Sequence, residues 1–151
     1  MKKLFAAILL CALALTARAH QGNWLTNFDE AKKKAAAENK PILALFTGTD
    51  WCPTCNKWEK DAFNTPEFQT YAETNLVLLL VDFPEKKKLP KAQQKANDKL
   101  KDKLDVEEFP QVVIVNPRGK KIGTFTYAEG GPNVLLGKIT STLEGKVDKK
   151  Q

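Results

Sequence analysis

Apolar residues follow two rhythms along this chain of 151 residues. Three short runs are almost wholly apolar: "ILALF" at 42–46, "LVLLLVDF" at 76–83 and "QVVIV" at 111–115. Continuous runs of that length are the pattern of strands buried on both faces. A fourth run, "KKIGTFTY" at 120–127, follows "NPRG", where Pro117 and Gly119 stand at turn positions. Between the runs the period changes to three or four. "NFDEAKKKAAAENK" puts Phe28, Ala31 and Ala35 on one helical face, with Asn27 as cap, Glu30 three residues on and Pro41 as stop. Cys55, Trp58 and Ala62 make a second stripe. Thr65 and Pro66 read as the cap and first residue of a short helix that turns Phe68 and Ala72 inward. Ala92, Ala96, Leu100 and Leu104 form a thin stripe on a mostly polar helix. Gly130-Gly131-Pro132 leads into a last helix carrying Leu135, Leu136, Ile139 and Leu143.

The order is therefore α-β-α-α-β-α-β-β-α. Strands separated by helices are expected to pair in parallel, and the closing hairpin to add antiparallel strands at the edge. The fold class is α/β, a mixed sheet of four to five strands with helices on both faces. "NWLT" at 23–26 is the candidate for the fifth, a short edge strand. No internal repeat and no linker divides the chain.

The first residues carry a different signal. Lys2 and Lys3 precede an apolar stretch from Leu4 to Leu15, and Ala17 and Ala19 are small residues placed before a cut. This is the pattern of a secretory signal peptide over 1–19, too short for an ordinary membrane span. Cleavage after Ala19 leaves a single domain at 20–151 with its core at about 24–144. It discards Cys11, which is no lipid attachment site because Leu10 precedes it. It also removes Lys2, Lys3 and Arg18 and no acid, which lowers the formal charge from +6 to +3. The remaining lysines are interspersed with acids, so they read as solvated helix faces and no nucleic-acid partner is expected.

The inventory of reactive side chains is short. Past Ala19 there is one histidine, His20, and two cysteines, Cys52 and Cys55. A hydrolase site of Ser-His-Asp or Cys-His type needs a histidine in the folded body. A structural zinc site needs four ligands, and one C-x-x-C offers two. The chemistry then rests on "TDWCPTCNKW" at 49–58. It lies after a central strand, where open α/β sheets present their ligands, and at the start of a helix. Free N–H groups and the helix dipole there favour a thiolate. Cys52 is expected to be the more exposed sulfur and to ionise near or below neutrality, against about 8.5 for free cysteine. Cys55, one turn on along the Trp58 stripe, is expected to be inward. Cys52 would attack a disulfide, and Cys55 would resolve the mixed disulfide. A structural staple is the weaker reading, since so small a loop constrains the unfolded chain little. A Cu(I) metallochaperone using both thiolates is the alternative of another class. The only methionine, Met1, lends it no support.

From about Trp24 to Leu143 the chain resembles the thioredoxin family. The residues that carry this are "WCPTC" at 51–55, the strand before it, and "EEFPQVVIVNPRGKKIG" at 107–123. More narrowly, "FTGTDWCPTC", "VDFPEKK" and "EEFPQ" resemble small secreted thioredoxin-like proteins of the DsbH type, periplasmic thiol–disulfide oxidoreductases working mainly as reductants. The resemblance implies a cis-proline at Pro110, in the loop facing the cysteines. It implies that Phe109 and Pro110, with Trp51, Pro53 and Thr54, meet the substrate. It implies no cofactor besides the redox-active Cys52–Cys55 pair.

Two departures stand out. The buried strand aspartate that serves as proton acceptor in cytosolic thioredoxins corresponds here to Phe46, which leaves Asp50, Lys57 and Asp82 as candidates for a proton relay. Inside the motif stand Pro53 and Thr54, and the histidine of the strongly oxidising enzymes is missing. The expected activity is that of a monomeric, periplasmic or secreted reductase of protein disulfides, supplied by a membrane or periplasmic electron donor. A disulfide-forming oxidase or isomerase of the same fold is the alternative.

Overall fold

The computed structural model of the protein describes residues 23–145. The expected signal peptide, its cleavage point, Cys11 and His20 lie outside the described residues. The elements are α1 (Phe28–Glu38), β1 (Ile42–Thr47), α2 (Pro53–Trp58), α3 (Pro66–Asn75), β2 (Val77–Asp82), α4 (Lys91–Lys103), β3 (Gln111–Val115), β4 (Lys121–Thr126) and α5 (Gly131–Leu143). Helix α2 runs on into a single π-helical turn, Glu59–Phe63.

Local chemistry sets these boundaries. Asn27 caps α1 by accepting the Glu30 N–H at 3.0 Å, and Asn39 ends it in the left-handed conformation. Thr65 caps α3 ahead of Pro66. Gly119 adopts φ +84° to close the turn between β3 and β4, a conformation that favours glycine.

The sheet has four strands in the order β2-β1-β3-β4. β1 and β2 pair in parallel, whereas β3 runs antiparallel to both β1 and β4. The expected closing hairpin is therefore present, β3 and β4, with β4 at the edge and β3 inside the sheet, whereas the helix-separated strands β1 and β3 do not pair in parallel. "NWLT" supplies no fifth strand; Leu25 forms one isolated bridge to Leu79.

Both faces of β1 are covered, which explains its unbroken apolar run. Ile42, Ala44 and Phe46 pack with Ala31, Ala35, Leu100 and Leu104 on one side. Leu43 and Leu45 pack with Trp58, Phe68, Leu135 and Ile139 on the other. The expected stripe on α4 is rotated. Ala92 and Ala96 are exposed, while Asn97 and Leu100 are buried. The reason is polar: the Asn97 amide donates to the Asp82 carbonyl at 2.9 Å, and Gln93 donates to Asn97 and to the Thr26 carbonyl. None of the described helices is long and apolar enough to cross a membrane.

Candidate active site

The carboxyl end of β1 leads through "GTDW" into α2, and the motif lies in that bend. The Gly48 carbonyl accepts the N–H groups of Trp51 at 3.3 Å and Cys52 at 2.9 Å, which winds the chain toward the helix. Cys52 is the N-cap of α2, in extended conformation, with Pro53 at the first helical position. Its sulfur accepts the N–H of Cys55 at 3.2 Å. Cys52 and Cys55 are joined by a disulfide. Cys52 is 6% exposed and Cys55 1%, so the expected ranking holds although both are buried. Pro53 and Thr54, between them, are exposed.

An aromatic wall stands beside the sulfurs. Trp51 is 39% exposed and lies over Gly48, where an added methyl would overlap the indole ring. Its Nε1–H donates to the Phe83 carbonyl at 2.7 Å. Phe109 meets Trp51 edge to face at 6.0 Å and stacks on Phe83 at 5.1 Å. The Phe109–Pro110 peptide is cis, as the resemblance implies. Trp58 is core, packed on Phe63, Phe125 and Tyr127.

The three side chains considered for a proton relay have other partners. The Asp50 carboxylate accepts the backbone N–H groups of Glu85, Lys86 and Lys87 at 2.8–2.9 Å. These bonds, led by that of Lys87, hold its carboxyl below the usual carboxylate range. Lys57 pairs with Asp61 at 2.8 Å, which raises its own pKa and keeps it charged. Asp82 receives the N–H of Thr49 at 3.0 Å and its hydroxyl at 2.7 Å.

A further acid near the motif, not among those three, is Glu59. Its backbone N–H bonds the Cys55 carbonyl, so it stands one turn beyond the buried sulfur. It begins the π-helical turn, and its Oε1 accepts the hydroxyl of the fully buried Thr47 at 3.0 Å. Burial raises its carboxyl above the usual range, and the charge of Asp82 adds to the rise. A signal was present: Cys55, Trp58, Glu59 and Ala62 are spaced i, i+3, i+4, i+7, which sets a carboxylate within an apolar stripe. Among the described residues no group of three or more His, Cys, Asp or Glu side chains could hold a metal ion.

Buried paired cysteines at a strand-to-helix bend, with a cis-proline next to the Phe109 that meets Trp51, define a redox-active site on a thioredoxin-like fold. The family model described as thioredoxin-like matches residues 23–117, and the chain belongs to that family. Over 118 residues it is 32% identical to the disulfide bond reductase DsbH of Chlamydia pneumoniae, covering 78% of this chain and 71% of that one. A solved DsbH oxidoreductase superposes with a TM-score of 0.78 at 32% identity, over 83% of this chain and 87% of its own. A thioredoxin from Thermus thermophilus shares the fold, with a TM-score of 0.60 at 16% identity over 78% and 85% of the two chains. The protein is a thiol–disulfide oxidoreductase whose redox centre is the Cys52–Cys55 pair.

Proposed function

We propose that the protein reduces disulfides of other proteins outside the cytosol, as a monomer of one domain exported by its first nineteen residues and cut after Ala19. The observation that carries the mechanism is the contact of the Cys55 N–H with the Cys52 sulfur at the helix cap. In the reduced protein the same donor, with the N-terminus of α2, favours a thiolate on Cys52.

That thiolate attacks one sulfur of a substrate disulfide. A mixed disulfide forms, and the first substrate thiolate leaves to take a proton. Glu59, a raised carboxyl one turn from Cys55, serves as proton acceptor for the Cys55 thiol in place of the acid absent at Phe46. The Cys55 thiolate attacks the Cys52 sulfur and expels the second substrate thiolate. Two electrons have passed to the substrate, and Cys52–Cys55 is left oxidised. A dithiol donor, on a membrane or periplasmic redox protein, returns it to the reduced state. Trp51, Pro53, Thr54, Phe109 and Pro110 form the surface on which the substrate backbone rests.

The reductive direction draws support from the DsbH relative, itself named a disulfide bond reductase. The absence of histidine between the cysteines supports it too. Equilibration of Cys52–Cys55 against glutathione, together with an insulin reduction assay, tests it. A reducing potential with insulin turnover is the expected result. An oxidising potential without turnover makes the protein a disulfide-forming oxidase, and stoichiometric Cu(I) binding without exchange makes it a metallochaperone.

A further inference from the structure

The segment between β2 and α4, residues 83–90, borders a cleft of about 420 Å³ beside the aromatic wall. Its inner side is apolar, from the part-buried Phe83, Pro84 and Leu89. Its rim is cationic, from the exposed Lys87, Lys88 and Lys91. None of these three lysines is in an ion pair, whereas Lys32, Lys40 and Lys57 each lie 2.8 Å from a carboxylate. Two acids also border the cleft. They are Asp82, whose oxygens accept from Thr49, and Glu85, so three lysines outnumber two carboxylates at the cleft.

The cleft is joined to the two residues before Cys52 by hydrogen bonds and ring contacts. Asp50, two residues before Cys52, holds the backbone of Glu85, Lys86 and Lys87. Phe83 accepts the Trp51 indole and stacks on Phe109. A chain lying across Trp51 and Phe109 toward Cys52 would therefore continue into the cleft.

We propose that this cleft binds an acidic segment, with one apolar side chain, flanking the redox cysteine of the protein that exchanges disulfides with Cys52. The proposal rests on the redox reading above. It selects a protein over a lipid surface because the occupant must also bring a sulfur to Cys52. Unpaired cations beside a site of this kind act chiefly on association, by about tenfold or more at low salt.

The test uses two disulfide-linked peptides that differ only in flanking residues, Asp/Glu in one and Lys in the other. The wild-type protein should exchange at least about tenfold faster with the acidic peptide at low salt, and the preference should fade as salt is added. In the triple variant K87E/K88E/K91E the ratio should fall to about one or invert. Binding of a labelled acidic peptide with serine in place of cysteine should weaken in parallel, and this readout needs no redox turnover. If neither peptide exchanges but the serine peptide binds through the lysines, the redox reading fails and the docking surface stands. Equal rates for both peptides in the wild type, or equal slowing of both in the variant, overturns the docking surface. So does lysine-dependent binding to phosphatidylglycerol vesicles without discrimination between the peptides.

Discussion

The two sides of the motif treat a carboxylate in opposite ways. On the upstream side Asp50 stands at the half-exposed bend, and three backbone N–H groups hold its charge in place. On the downstream side Glu59 sits against the buried Thr47 with one hydroxyl donor, and burial pushes its carboxyl upward. Asp50 is thereby fixed as an anion and ties a loop. Glu59 is left able to gain and lose a proton. The difference is the ground on which Glu59, and not Asp50, is proposed as the proton acceptor for Cys55. Donor count and burial decide between them.

The cysteines divide along the same line, and exchanging their roles gives the largest effect. Cys52→Ser should abolish disulfide exchange and capture almost no partner. Cys55→Ser should accumulate mixed disulfides, seen on non-reducing gels and identified by mass spectrometry. Equal alkylation rates of the two reduced thiols across pH would break the comparison at its centre.

Glu59→Gln comes next. Loss of a general base should slow resolution of the mixed disulfide by about 10²-fold and remove a step from its pH profile. Attack by Cys52 should change far less, and stopped-flow kinetics separates the two stages. Stability supplies an independent reading. An acid whose folded pKa is raised binds more protons in the folded state than in the unfolded one. Stability should therefore fall as pH rises from about 4.5, the ordinary value, through the raised value, and level off above it. In Glu59→Gln that fall should be absent, and the variant should be at least as stable as the wild type at neutral pH. Chemical denaturation at several pH values reads this directly.

The upstream side depends on the lack of a side chain at Gly48. Gly48→Ala places a methyl inside the Trp51 ring, so the indole is expected to shift and strain its bond to the Phe83 carbonyl. Overpacking of this kind costs about 1–3 kcal/mol, measurable as a lowered denaturation midpoint. The same shift should raise the exposure of the Trp51 indole, read from its fluorescence. An unmoved indole would show that the bend tolerates a methyl.

Much of this architecture was legible in the residues. The runs at 42–46, 76–83 and 111–115 became strands, and the caps at Asn27 and Thr65 act as read. Pattern gave the closing hairpin but not that β3 lies inside the sheet, antiparallel to β1, because strand order depends on how the long connection through α4 crosses the sheet. It misjudged α4, where amide hydrogen bonds from Asn97 and Gln93 outweigh a stripe of alanines. At the site, the cysteines and the aromatic residues around them were legible from spacing and resemblance. The partners of Asp50, Lys57 and Asp82 were not, since each lies in the geometry of a bend or helix face. Glu59 was overlooked because a charged residue reads as exposed until the neighbouring strand supplies Thr47.

The smallest expected effect belongs to Asp50, and it sharpens the comparison from the anionic side. Asp50→Ala removes the common acceptor of the Glu85, Lys86 and Lys87 amides without touching the core. Hydrogen exchange should quicken at those amides while the strand amides of β1 stay protected. The sign of its pH dependence is opposite to that of Glu59. A carboxyl held below its ordinary value of 3.8 contributes stability that is present above that value and lost as pH falls through the lowered one. The wild-type loop should therefore loosen only in acid, and the alanine variant should show no such transition. If the three amides stay protected in Asp50→Ala, packing of Phe83 against Phe109 holds the loop by itself, and the upstream carboxylate has no structural role to set against that of Glu59.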